Sequence, residues 1–183
     1  IVPRKRLGIE LLLGTELNIM NAEGKVDLPE DVLKTLDIAI ASIHIPCFRD
    51  ERTVENVTAA YENVMENPYV DIIGHPDDGR FPVDMKRLVS KAKKTGTLLE
   101  VNNSSLRPEG FRENTKENCL RMVKECKEQG VMIVLGSDSH VDADIAEYPY
   151  AEEILRETDF PEKLVANVSL EKLKACIKHG KKL

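Results

Sequence analysis

Val131-Met132-Ile133-Val134-Leu135-Gly136-Ser137-Asp138-Ser139-His140 carries five apolar residues into a glycine, then into a polar phrase with a carboxylate and an imidazole two residues apart. A short run rich in Ile, Val and Leu reads as a buried parallel strand. The polar phrase then falls at the strand's carboxyl end, where α/β folds gather their sites. Side chains alternate along an extended chain, so Asp138 and His140 are expected to point to one side. A pair of that kind can grip one divalent ion or two neighbouring ones. The competing reading is a loop in which Asp138 caps a helix near Ile145.

The pattern repeats upstream. Leu11–Ile19, Asp37–His44, Val70–His75 and Thr97–Asn102 are further short apolar runs, and Met132–Leu135 completes the set. Amphipathic stretches separate them. Val54, Val57, Tyr61, Val64 and Met65 form one apolar stripe, and Cys119, Met122, Val123 and Cys126 form another. Both follow helical spacing. Thr53, Thr115 and Ser169 are candidate helix caps, and Gly96 and Gly130 stand where helices end. Strand–helix alternation predicts an α/β architecture, either an open doubly wound sheet or part of a barrel. Periodicity does not choose between them. The glycine fingerprint of dinucleotide binding and the P-loop are both absent.

A chain of 183 residues with 42% hydrophobic and 32% charged residues reads as one globular domain. Its formal net charge of −6 argues against a nucleic-acid partner held by phosphate neutralisation. No apolar run approaches the length of a membrane span. The four cysteines form no CxxC pair, so a thiolate zinc site is not expected. Cys119 and Cys126 read as buried free thiols, which points to a reducing cytoplasm.

Three of the four histidines, His44, His75 and His140, stand at the carboxyl ends of predicted strands. The fourth, His179, lies in a Lys-rich tail and reads as solvated. Glu16 stands inside the first strand, on the face opposite Leu11, Leu13, Leu17 and Ile19. A carboxylate there costs free energy unless it is paired or ligates a metal; the alternative is a strand face open to water. Together these residues form a ligand set suited to zinc, manganese or iron rather than calcium. Glu100, Asn102, Asn103, Ser104 and Ser105 follow the Leu98-Leu99 strand. They either contact phosphate and orient ligands or make an ordinary turn. Arg80 and Arg107 are loop cations, read first as surface charge and second as phosphate contacts.

Gly14-Thr15-Glu16-Leu17-Asn18-Ile19, Ser42-Ile43-His44, Gly74-His75-Pro76, Leu99-Glu100-Val101-Asn102-Asn103-Ser104-Ser105 and Gly136-Ser137-Asp138-Ser139-His140 together resemble the polymerase and histidinol phosphatase (PHP) superfamily, in its YcdX-like phosphatase branch. The resemblance implies a distorted TIM-like (β/α) barrel of seven strands with up to three divalent ions, zinc first and manganese or iron next. It implies Glu16 as a bridging carboxylate, His44 and His75 on one ion with it, Asp138 on a second and His140 on a third. Glu16, Asp138 and His140 would be catalytic, and Asn102, Asn103, Ser104 and Arg107 would meet a small phosphorylated substrate. The implied reaction is phosphomonoester hydrolysis by metal-bound hydroxide.

The family also opens with a His-x-His strand, a further histidine and a Thr-Asp-His phrase, none of which is present. Residues 1–183 are therefore read as one PHP domain lacking its first strands, either as an expressed fragment or through a shortened coding frame, with weak or no activity of its own. The rivals are a non-catalytic metal-binding remnant and a nuclease or polymerase accessory domain. The strand Leu11–Ile19 is expected to be an uncovered edge, and edges invite pairing. A two-fold homodimer through it is the expected assembly; the alternative is a monomer whose N-terminal residues curl over the gap.

Overall fold

The computed structural model describes residues 4–178; the reading of His179 falls outside them. Five parallel strands form the central sheet: β3 (Gly14–Asn18), β4 (Ile38–Ser42), β5 (Ile72–Ile73), β6 (Leu98–Asn102) and β7 (Ile133–Gly136). They lie side by side in chain order, with Glu16 opposite Ile40, Ile40 opposite Ile72, and Glu100 opposite Val134. Parallel crossovers are right-handed, so a sheet that always advances in one direction keeps its crossover helices on one face. The doubly wound alternative, which needs crossover helices on both faces, is thereby set aside. No closed barrel is present among the described residues.

Each apolar run of the sequence meets one strand; four of the strands are shorter than their runs, and β7 is displaced from its run by one residue. Two aspartates ahead of strands brace the preceding strand with their side chains. Asp37 accepts the Leu13 N–H at 2.7 Å, and Asp71 accepts the Ala39 N–H at 2.8 Å. A two-stranded antiparallel hairpin, β1 (Lys5–Arg6) and β2 (Ile9–Glu10), precedes the sheet. Its turn residues, Leu7 and Gly8, both have positive φ, at 51° and 82°, as tight hairpin turns of this class require.

The helices are α1 (Glu30–Leu33), α2 (Val54–Val64), α3 (Met85–Thr95), α4 (Thr115–Gln129), α5 (Pro149–Glu157) and α6 (Leu170–Cys176). Sheet residues Leu17, Ala41, Ile73, Val101 and Ile133 join Val57, Tyr61, Leu88, Met122, Val123 and Ile154 in the main core. Burying each Val, Leu, Ile or Met among them stabilises the fold by about 1.5–3 kcal/mol. The opposite face carries Ile72, Leu98 and Val134, packed with Ala166, Ile177 and, from α6, Leu173 and Cys176.

Thr53 and Ser169 cap their helices as expected, accepting from Asn56 and Lys172 N–H groups. Gly96 and Gly130 end α3 and α4 in the left-handed region. Two local expectations fail. Val54 is half exposed, because it lies on the first turn, beyond the sheet's reach. Thr115 is the first residue inside α4; the cap position belongs to Asn114 at φ 51°, a conformation asparagine tolerates better than threonine. Cys119 and Cys126 are free and buried, and burial pushes the Cys126 thiol up to about 12.

Candidate metal centre

Parallel strands deliver three ligand-type side chains to one point. Glu16 stands within β3, and His44 and His75 each lie two residues past the end of their strand, β4 and β5 respectively. Glu16 Oε1 is 3.0 Å from His75 Nε2 and 3.4 Å from His44 Nε2. One ligand atom from each residue falls within 4.8 Å of the others. His75 is buried, while Glu16 and His44 are partly open to solvent. The His44 and His75 contacts, in that order, hold the Glu16 carboxyl far below its ordinary range.

The hydrogen bonds behind His44 decide which nitrogen faces inward. Asn18 donates through its amide nitrogen to Asp27 at 2.6 Å, and its backbone N–H bonds the same carboxylate at 3.0 Å. The Asn18 side-chain oxygen is thereby left facing His44 Nδ1 at 2.8 Å. An oxygen can only accept, so Nδ1 carries a proton. Nε2 then faces Glu16 either as a second donor, in the imidazolium, or, in the neutral ring, as a lone pair free to ligate a cation shared with the carboxylate. Metal-ligating histidines are oriented in this way by a partner on the other ring nitrogen. The donor set therefore fits a divalent ion.

The second group lies past β7. Asp138 has φ 49°, so the chain turns there and the extended alternation expected for Ser137–His140 does not hold. Asp138 Oδ2 accepts from Asn102 Nδ2 at 3.2 Å and from both terminal nitrogens of Arg112 at 3.3 Å. His140 is 87% exposed, with Nδ1 3.0 Å from the Asp138 carbonyl and 3.9 Å from its carboxylate. Asp138 does not cap a helix; the short turn at Asp142–Asp144 begins after Val141.

Asn102 is buried and joins Glu100, Asp138 and the Ser105 N–H. Asn103 is buried too, and its side-chain oxygen accepts the N–H groups of Tyr150 and Ala151 at 2.9 and 3.1 Å, at the start of α5. Ser104 and Arg107 line a cavity of about 230 Å³ with Ser105, Phe111 and Arg112. Arg107 also pairs with Asp144 at 2.7 Å, and Arg80 bonds Asp78. Asp77, two residues after His75, is fully buried, and burial pushes its carboxyl up to about 7.

Arg112 escaped the sequence reading. Its side chain is only 8% exposed, bonds Ser105 Oγ at 2.8 Å and packs 5.2 Å from the Phe111 ring. It sits in a turn-rich phrase without periodicity, 26 residues from its carboxylate, so no local signal distinguished it from Arg107.

No family model matches the chain. Among curated proteins, one named "Probable phosphatase" from Clostridium novyi is 45% identical over 183 residues, covering all of this chain and 74% of that protein. Another "Probable phosphatase", from Thermoanaerobacter sp. strain X514, is 42% identical over 182 residues, covering 100% of this chain and 74% of its own length. A third, from Caldanaerobacter subterraneus subsp. tengcongensis, is 41% identical over 182 residues, covering 100% and 71%.

Proposed function

The chain belongs to the family of these probable phosphatases, and from that premise we propose that it is a metal-dependent phosphoesterase of the PHP type, acting on small phosphomonoesters. The observation that carries the reading is the convergence of His44 Nε2 and His75 Nε2 on one Glu16 oxygen, with Asn18 fixing the His44 tautomer. Glu16, His44 and His75 would hold one divalent ion, zinc before manganese or iron. Asp138 and His140 would contribute to further ions. A bound ion of this class polarises a phosphoryl oxygen and lowers the pKa of water.

The chain's own residues supply orientation and charge. Asn102 and Arg112 fix the Asp138 carboxylate. Arg112 and Ser104, both lining the adjoining cavity, are suited to donate to substrate phosphate, with Arg107 beside them. The one-directional parallel sheet, with its ligands at the carboxyl ends, supports its being a wall of a PHP barrel. Among the described residues no helix is long and apolar enough to cross a membrane. With two buried free thiols, this supports a cytoplasmic setting. The β3 strand is an edge of the sheet, and we propose a two-fold dimer across it; light scattering at one-chain mass across the concentration range would refute that.

The deciding experiment incubates the full chain with zinc or manganese and offers a phosphomonoester beside single-stranded DNA. Phosphate release that stops with chelator is expected. Zinc binding without turnover would favour a non-catalytic metal-binding domain. Cleavage of the DNA alone would favour a nuclease, and neither binding nor turnover would refute the reading.

A further inference from the structure

Glu100 lies in the middle of β6 and is 6% exposed. Gly136, at the end of the neighbouring strand β7, makes room for it: a Cβ placed there would overlap Glu100 Oε1. Residue 136 therefore cannot carry a side chain while the carboxylate stays where it is. A carboxyl group held this deep in the sheet must find partners for its oxygens.

Those oxygens reach both ligand groups. Oε2 accepts the His75 backbone N–H at 2.8 Å and Asn102 Nδ2 at 3.1 Å. Asn102 Nδ2 also donates to Asp138 Oδ2 at 3.2 Å. The two residues at the ends of this chain of bonds are both in the left-handed region, His75 at φ 32° and Asp138 at φ 49°. Non-glycine residues hold such conformations only where their surroundings over-determine them. A hydrogen bond to a carboxylate is among the stronger means of doing so.

We propose that Glu100 is a positioning residue: it sets the backbone of His75 and, through Asn102, the carboxylate of Asp138, so that the two groups of ligands keep a fixed separation. The inference rests on the metal-centre reading above. It also explains why glycine occupies position 136, which the ligand set alone does not.

The test uses the full chain with two readouts: amide exchange of His75 in metal-free protein, and zinc affinity by competition with a chromophoric chelator. In Glu100→Ala the His75 amide should exchange about tenfold faster or more, and zinc affinity should fall about 10–100-fold, as for other partners of ligands. Glu100→Gln, whose amide oxygen can take both bonds, should restore most of each. Gly136→Ala keeps Glu100 but displaces its carboxylate; it should behave like Glu100→Ala and replaces it should that variant not fold. Unchanged His75 exchange overturns the proposal, as does unchanged zinc affinity in a folded variant whose melting temperature has dropped. A wild-type chain that binds no zinc overturns the metal-centre reading instead, and the exchange comparison still decides the role of Glu100.

Discussion

The candidate ligands from β3, β4 and β5 and those beyond β7 are held in different ways. Glu16, His44 and His75 meet within 4.8 Å, and Asn18 and Glu100 fix His44 and His75 from behind. Asp138 stands on a turn, fastened by Asn102 and Arg112, and His140 projects into solvent. The difference is not one of backbone position, since His75 and Asp138 each lie two residues past a strand end at positive φ. It lies in what faces each side chain. Glu16, His44 and His75 face one another, whereas Asp138 faces an amide and a guanidinium, and His140 faces water.

The sharpest way to break this comparison is His75→Ala. His75 is buried and supplies one of two nitrogens to the first group. Its loss should weaken zinc binding by more than the roughly 10–100-fold expected of a residue that only orients a ligand. Binding to the wild-type chain should also weaken at acid pH, because a protonated imidazole cannot ligate. Zinc affinity indifferent to this variant would remove the first group as a centre.

Asp138→Asn probes the second group. Asparagine tolerates the left-handed turn, so the backbone should remain while the charge is lost. Turnover should fall by about tenfold or more, whereas affinity for the first zinc should change by less than about threefold, since Asp138 touches none of Glu16, His44 or His75 directly. A large loss of first-site affinity would mean that the two groups are one.

The sheet's two edges continue the contrast. Asn167 clasps β7, accepting the Leu135 N–H at 3.0 Å and donating to its carbonyl at 2.9 Å. It occupies the place of a neighbouring strand. Asn167→Ala should cost about 1–2 kcal/mol in denaturant unfolding, since two half-buried backbone groups lose their partners. A cost near zero would show that water replaces the clasp freely.

How much of this was legible depended on whether a feature is periodic. The five strands, and the convergence of Glu16 with His44 and His75, follow from alternation and strand-end position, which any short window of sequence displays. The hairpin at Lys5–Glu10 was not legible, because Leu7 takes a left-handed turn position normally signalled by Asn or Gly. Alternation misled for Asp138 because β7 ends at Gly136 and the chain then turns. Arg112 had no signal at all. Glu100 was marked as one of several polar residues after a strand, but its partners, the His75 amide and Asn102, are set by sheet register rather than by sequence.

His140→Ala should have the smallest effect on the fold and so bears most directly on the weaker group. The side chain is 87% exposed, and its polar contacts are to the Asp138 carbonyl and, at 3.9 Å, the Asp138 carboxylate. Surface positions of this kind change stability by no more than about 0.5 kcal/mol on substitution, and first-site zinc affinity should hold. What the variant can alter is zinc stoichiometry and turnover. If His140 ligates a further ion, titration to saturation should show fewer zinc equivalents than wild type, with turnover reduced at unchanged melting temperature. Equal stoichiometry and equal turnover would leave His140 as a solvated loop residue and confine the metal chemistry to Glu16, His44, His75 and Asp138.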